Sequence, residues 1–253
     1  MPDDELARAP ETGTGRLGLD LTRRVLAEAL GTAFLVMAVI GSGIMAQRLS
    51  PDDVGLQLLE NAFATAGALV GLILMFGAVS GAHFNPVVTL TDRIFGTISS
   101  RDAGLYVVAQ VVGACLGAML ANVMFSLPPV ETSSTVRDGA GVWIGEIVAT
   151  AGLLLVIGAL TRTGRGNLGP ILVPAWIGAA YFFTASTSFA NPAVTIGRSL
   201  TDTFAGIAPV SVAPFIAFQI IGAVVGALLT AWFYPRTAPE PLDLPAPVHD
   251  GPR

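Results

Sequence analysis

The sequence predicts an all-α membrane protein with six transmembrane helices plus two re-entrant half-helices, arranged as inverted three-helix repeats. Three observations predict it. Six long apolar stretches fall at about 25–47, 55–79, 103–126, 141–160, 168–187 and 211–234. A short motif, Asn-Pro followed by small and β-branched residues, occurs twice, at 84–90 and 190–196. The landmarks around the two copies recur in one order.

A helix that crosses hydrocarbon needs about 20 residues, and each of the six stretches approaches or exceeds that. Helices are required there because lipid offers the backbone no hydrogen-bond partners. Of 253 residues, 53% are hydrophobic and 12% charged, against roughly 25% charged in a soluble domain. The thirteen basic residues are all Arg, and the net charge is −5. Nothing here neutralises a run of phosphates, so a nucleic-acid partner is not expected. The single Cys115 gives neither a disulfide pair nor a metal cluster, and no metal or cofactor is expected. No nucleophile–base–acid set or phosphate loop appears, so the chain does not read as an enzyme. Glycines recur four apart at Gly67/Gly71, Gly113/Gly117, Gly141/Gly145 and Gly222/Gly226, a spacing that lets membrane helices approach closely. Trp143, Trp176 and Trp232 read as interfacial anchors.

The domain organisation follows. A channel domain spans 22–234, with repeats at about 22–126 and 139–234, between a polar tail at 1–21 and a Pro-rich tail at 235–253; both tails read as disordered. Loops on one side of the six spans, with both termini, hold ten Arg against three on the other, which predicts cytoplasmic termini.

Glu28 and Glu146 each open an apolar run, and the Asn-Pro motifs follow 57 and 45 residues later. Asp92 with Phe95-Gly96 then matches Asp202 with Phe204 and Gly206, and Gln110 matches Gln219. Each half holds three spans, an odd number, so the second half lies upside down. Inverted repeats place a site at the midplane between them. Proline suits the first turn of a helix and Asn its N-cap. Pro86 and Pro192 therefore read as the first residues of half-helices at about 86–95 and 192–201, capped by Asn85 and Asn191. Each N-terminus carries roughly half a positive charge. Two of them facing each other at mid-membrane, with amide donors from both Asn, would accept water or a neutral hydroxylated solute and refuse cations and protons.

On Ser80-Gly81-Ala82-His83-Phe84-Asn85-Pro86 and Asn191-Pro192-Ala193, the chain resembles the aquaporin (major intrinsic protein) family over roughly 22–234. The usual Ala of the first signature is Val87. The resemblance implies a pore in each chain of a homotetramer in a lipid bilayer, the inner (plasma) membrane of a bacterium, with small neutral solutes and water as its partners. It also implies a midplane built from Asn85, Asn191, Pro86, Pro192, Val87 and Ala193. An outer constriction carries over by offset to Thr65, Ala179, Ser188 and Val194. There the chain departs: the family's usual Arg is Val194, which Val88 matches in the first motif, and the usual aromatic and His are Thr65 and Ala179. Such a gate would be wide and uncharged. It would pass glycerol-like polyols, urea-like molecules or neutral metalloid acids. A bacterial subgroup with a similar Asn-Pro-Ala-Val-Thr stretch is associated with arsenic compounds. Arg198, one helical turn past Val194, either stands in for the missing Arg, or caps a loop or pairs with Asp202. Glu28 and Glu146 are intramembrane acids. They read as braces for the re-entrant loops, with proton coupling as the other reading. His83 braces its loop or senses pH. The alternatives are a strict water channel, a coupled secondary transporter with an acid at the midplane, and a non-conducting scaffold.

Overall fold

The computed structural model describes residues 20–236; the rest of the two predicted tails lies outside the described residues. Eight α-helices follow one another: α1 Leu21–Leu49, α2 Val54–Ser80, α3 Pro86–Ile94, α4 Ser100–Met124, α5 Ala140–Arg162, α6 Gly169–Phe183, α7 Pro192–Arg198 and α8 Pro209–Phe233. No strand occurs among the described residues. Six of the helices are long and apolar enough to cross a membrane, α6 only together with the 3₁₀ turn Gly166–Leu168 that precedes it. The short α3 and α7 are the half-helices.

The boundaries follow local chemistry. Side chains of Asp20, Asp53 and Ser99 accept the backbone N–H three residues on and cap α1, α2 and α4. Gly81, at φ 96°, ends α2 in the left-handed region, where glycine carries no Cβ penalty. The fifth stretch ends as helix earlier than its hydropathy suggests. Thr184 turns extended, and its hydroxyl folds back on Ala180 O at 2.7 Å. The chain then enters the second re-entrant loop. α7 likewise stops at Arg198 rather than at residue 201.

In each half the first helix packs along the last, α1 on α4 and α5 on α8, and α2 meets α6 between the halves. Two of the four glycine pairs make these close crossings. A Cβ on Gly113 or Gly117 would lie 2.2 Å from the carbonyl oxygen of Ala29 or Ala33 on α1. On Gly222 or Gly226 it would lie 2.6 Å from that of Ile147 or Ala151 on α5. Gly67 and Gly71 face open space, and Gly145 instead makes room for Ser186. Trp232 is exposed, as an anchor is. Trp176 is not: its Nε1–H donates to Ala149 O at 2.9 Å, and its ring fills the space left by Gly152. The apolar core gathers where the half-helices meet the spans, with Val36, Val39 and Ile40 of α1 against Val87, Val88, Ala193 and Val194.

Candidate functional site

The re-entrant loops are built alike. Gly81, Ala82 and Phe84 have φ values of 96°, 51° and 48°. Their counterparts Thr187, Ser188 and Ala190 have 60°, 53° and 47°. Left-handed backbone at non-glycine residues is strained and persists where surrounding structure holds it. A buried carboxylate holds each loop. Glu28 accepts from Ser80 Oγ, His83 N (3.0 Å), Phe84 N (2.7 Å) and Gln110 Nε2 (2.8 Å). Glu146 accepts from Phe189 N (2.9 Å), Ala190 N (2.9 Å) and Gln219 Nε2 (2.6 Å). Gln110 and Gln219 each donate a second bond at 2.9 Å, to Thr89 and Thr195 of the adjoining half-helix. These bonds offset the desolvation of the acids and tie loop, half-helix and span into one unit.

The loops meet through their Asn residues. Asn85 Nδ2 donates to Ala190 O and Asn191 Nδ2 to Phe84 O, both at 2.8 Å. Their Oδ1 atoms cap the half-helices, on Val87 N (3.1 Å) and Ala193 N (3.0 Å). One amide hydrogen of each Asn remains beyond these bonds. The two positive helix ends therefore face each other, as the inverted repeat requires.

A cavity of about 890 Å³ runs past this junction. On the side of the termini it is lined by Asp92, Thr97, Thr161 and Asn167, at the junction by Asn85 and Asn191, and beyond it by Thr65, Ser188, Val194 and Arg198. Pro86, Pro192, Val87 and Ala193 are buried behind the Asn pair rather than on the cavity wall. Ala179 is a correction: it is exposed on the outside of its helix, and Ile177 and Tyr181 present the wall of α6 instead. Tyr181 donates its hydroxyl to Thr65 Oγ1 at 3.3 Å. The far end is thus neither bare nor uncharged. Arg198 is buried, bonded through Nε to Ala205 O, with its guanidinium carbon 3.4 Å from the centroid of the Phe189 ring. It does not pair with Asp202, whose carboxylate accepts from Ser134 N (2.8 Å) and Oγ (3.0 Å). Those bonds hold Asp202 below the usual carboxylate range.

Arg137, on the segment joining the halves, reaches the same ring at 5.3 Å. It donates to Gly206 O (2.9 Å) and Phe204 O (3.2 Å). Burial lowers its pKa, opposed by Glu146 and Tyr181. At the other end, His83 Nε2 lies 3.1 Å from Asp92 Oδ2, and Nδ1 lies 3.0 Å from Thr89 Oγ1. Arg137, Tyr181 and Phe189 were not singled out from sequence as site residues. The signal that could have marked Phe189 is its offset from Asn191, equal to that of His83 from Asn85. No group of His, Cys, Asp and Glu able to hold a metal occurs among the described residues.

Six apolar spans, two half-helices meeting through Asn caps and a cavity past them define an integral membrane channel protein. The chain belongs to the major intrinsic protein family, which it matches over residues 18–188. That match stops just short of Asn191, and pairwise relatives extend it. The chain is 49% identical over 220 residues to aquaglyceroporin AqpS of Rhizobium meliloti (strain 1021), covering 87% of this chain and 94% of that one. It is 30% identical over 220 residues to aquaporin NIP1-1 of Zea mays, covering 84% and 73%. The fold is shared with the aquaglyceroporin from Plasmodium falciparum at a TM-score of 0.61 and 18% identity, over 85% of this chain and 96% of that one.

Proposed function

We propose that the chain is a passive channel for small uncharged solutes and water, excluding ions at the paired Asn caps. Glycerol-like polyols, urea-like molecules and neutral metalloid acids are its solute class. The observation that carries this reading is the continuous cavity past Asn85 and Asn191, with Val194 rather than a bulky cation directly after the second motif. The likeness to an aquaglyceroporin supports it.

Coupled transport needs an ionisable group in contact with the solute at the midplane. Glu28 and Glu146 sit behind the loops, saturated with hydrogen bonds, and neither lines the cavity. They act as braces. Asp92 does line it, but at the end near the termini and beside His83. The selective end is built by Thr65, Tyr181, Ser188 and Val194. Arg198 supplies there the cation that the position of Val194 lacks, set back by one turn and flattened on Phe189. A guanidinium so placed repels cations while leaving the width beside Val194 open. The chain works as a homotetramer in a bacterial plasma membrane with both termini cytoplasmic, as the Arg distribution suggests.

The test is a stopped-flow panel of water, glycerol, urea and neutral arsenic acids on purified protein in proteoliposomes. Swelling in glycerol with none in sucrose, unchanged by a proton or sodium gradient, supports the channel. Water flux without glycerol flux would make it a strict water channel, and gradient dependence would make it a transporter.

A further inference from the structure

The cavity end away from the termini carries more positive charge than its surroundings answer. Arg198 is 2% exposed, yet it lines the cavity. Of its N–H donors, Nε–H is bonded, to Ala205 O. Nη1 and Nη2 have no acceptor among the described residues, so their donors are left to whatever enters the cavity. Arg137 stands over the same Phe189 ring, 5.3 Å from its centroid against 3.4 Å for Arg198. The consecutive carbonyls of Phe204, Ala205 and Gly206 hold both guanidiniums. Carbonyl dipoles orient a cation but do not cancel its charge.

Among the described residues, no carboxylate forms an ion pair with either Arg. Glu146, behind the second loop, has its oxygens occupied by Phe189 N, Ala190 N and Gln219. Asp202 is occupied by Ser134. Buried charges are ordinarily paired. Here Arg198 keeps unspent donors at an open cavity, and Arg137 stands behind it over the same Phe189 ring.

We propose that this end of the cavity is a binding site for a small oxyanion, the conjugate base of a carboxylic or phosphonic acid. The planar fork of Nη1 and Nη2 on Arg198 matches two oxygens of such an anion. Arg137 adds a second positive charge beside Phe189. Thr65 already accepts from Tyr181, so its own hydroxyl hydrogen is free to meet a further oxygen. Val194 forms an apolar wall of the same cavity. An anion seated on Arg198 also narrows the path, so it slows neutral flux. That consequence rests on the channel reading, whereas the binding does not.

The probe is methylphosphonate, followed through its methyl protons by saturation-transfer NMR on the full chain in nanodiscs, with sodium chloride at equal ionic strength as control. Expected for the parent is saturable binding that acetate displaces and chloride does not, weakening as ionic strength rises. Arg198→Gln abolishes it. Arg198→Lys keeps the charge and loses the fork, so methylphosphonate then binds no better than chloride. Arg137→Gln weakens binding by about tenfold, the effect of one lost charge partner. Because Arg137 lies on a connecting segment, that variant keeps the proposal testable if Arg198 variants do not fold. Binding equal in all variants, or none beyond chloride in the parent, overturns the proposal. Absence of glycerol swelling in the parent would instead overturn the channel reading, with the NMR result still deciding this one.

Discussion

Counted from Asn85 and Asn191, the residue two before is His83 in one loop and Phe189 in the other, and the residue seven after is Asp92 and Arg198. In both halves the later side chain folds back on the earlier one, 3.1 Å between His83 and Asp92 and 3.4 Å between Arg198 and the Phe189 ring. Placement is shared and charge is reversed. Behind them the frame is nearly the same: Glu28 with Gln110 and Thr89, Glu146 with Gln219 and Thr195. The frame varies little because each bond in it satisfies a buried donor that would otherwise go unpaired. The residues facing the cavity answer to no such constraint, and there the halves diverge. One end of the cavity carries an acid beside a His, the other the Arg198 guanidinium, with Arg137 over the same Phe189 ring.

The largest expected effect tests the shared frame. Glu146→Ala removes the acceptor of two backbone N–H groups and of Gln219, and Glu28→Ala does the same in the first half. Each orphaned buried donor costs about 1–3 kcal/mol, and the sum approaches the whole stability of a typical domain, about 5–15 kcal/mol. Neither variant should yield monodisperse protein by size-exclusion chromatography. A well-behaved Glu146→Ala protein alone would show that the two braces are not equivalent.

The helix crossings sharpen the comparison next. Gly117→Ala places a methyl carbon 2.2 Å from Ala33 O, whereas Gly67→Ala meets nothing within 4 Å. The first should destabilise by about 1–3 kcal/mol, as overpacking does, and the second should leave the melting temperature in detergent unchanged. Equal melting of the two variants would remove the distinction between the glycine pairs.

Charge reversal predicts unequal mouths. Arg198→Gln should raise potassium leak into proteoliposomes by about tenfold, the effect of some 1.4 kcal/mol on a barrier, and Asp92→Asn should not. Leak from both variants alike would mean that the Asn junction, not Arg198, sets ion exclusion.

The smallest effect concerns Asp202, whose folded-state pKa is depressed by Ser134. Its contribution is fully present above the ordinary carboxylate range and is lost as pH falls through the depressed value. The parent should therefore lose a small increment of thermal stability below about pH 4 that Asp202→Asn, flat across that window, does not.

The spans, the half-helices and the inverted order were legible in the sequence because membrane hydropathy and proline placement are local signals. The repeat was misaligned at one landmark. Asp92 corresponds by offset to Arg198, not to Asp202, because a loop residue can match in type without matching in place. Ala179 was misplaced for a related reason: an offset carried across a loop does not fix which face of α6 meets the cavity, and Ile177 and Tyr181 hold that face. The proximity of Arg137 to Arg198 depends on how residues 125–139 fold back on residues 199–208 through Leu200, Ser199 and Thr135. No local pattern encodes that.

The account turns on passage of solutes larger than water beside Val194. The most direct measurement is glycerol swelling of proteoliposomes carrying the parent or Val194→Arg. The account predicts that the Arg variant, with a bulky cation added to a wall already holding Arg198, loses glycerol flux by about tenfold or more while passing water. Glycerol flux in Val194→Arg as fast as in the parent would contradict it.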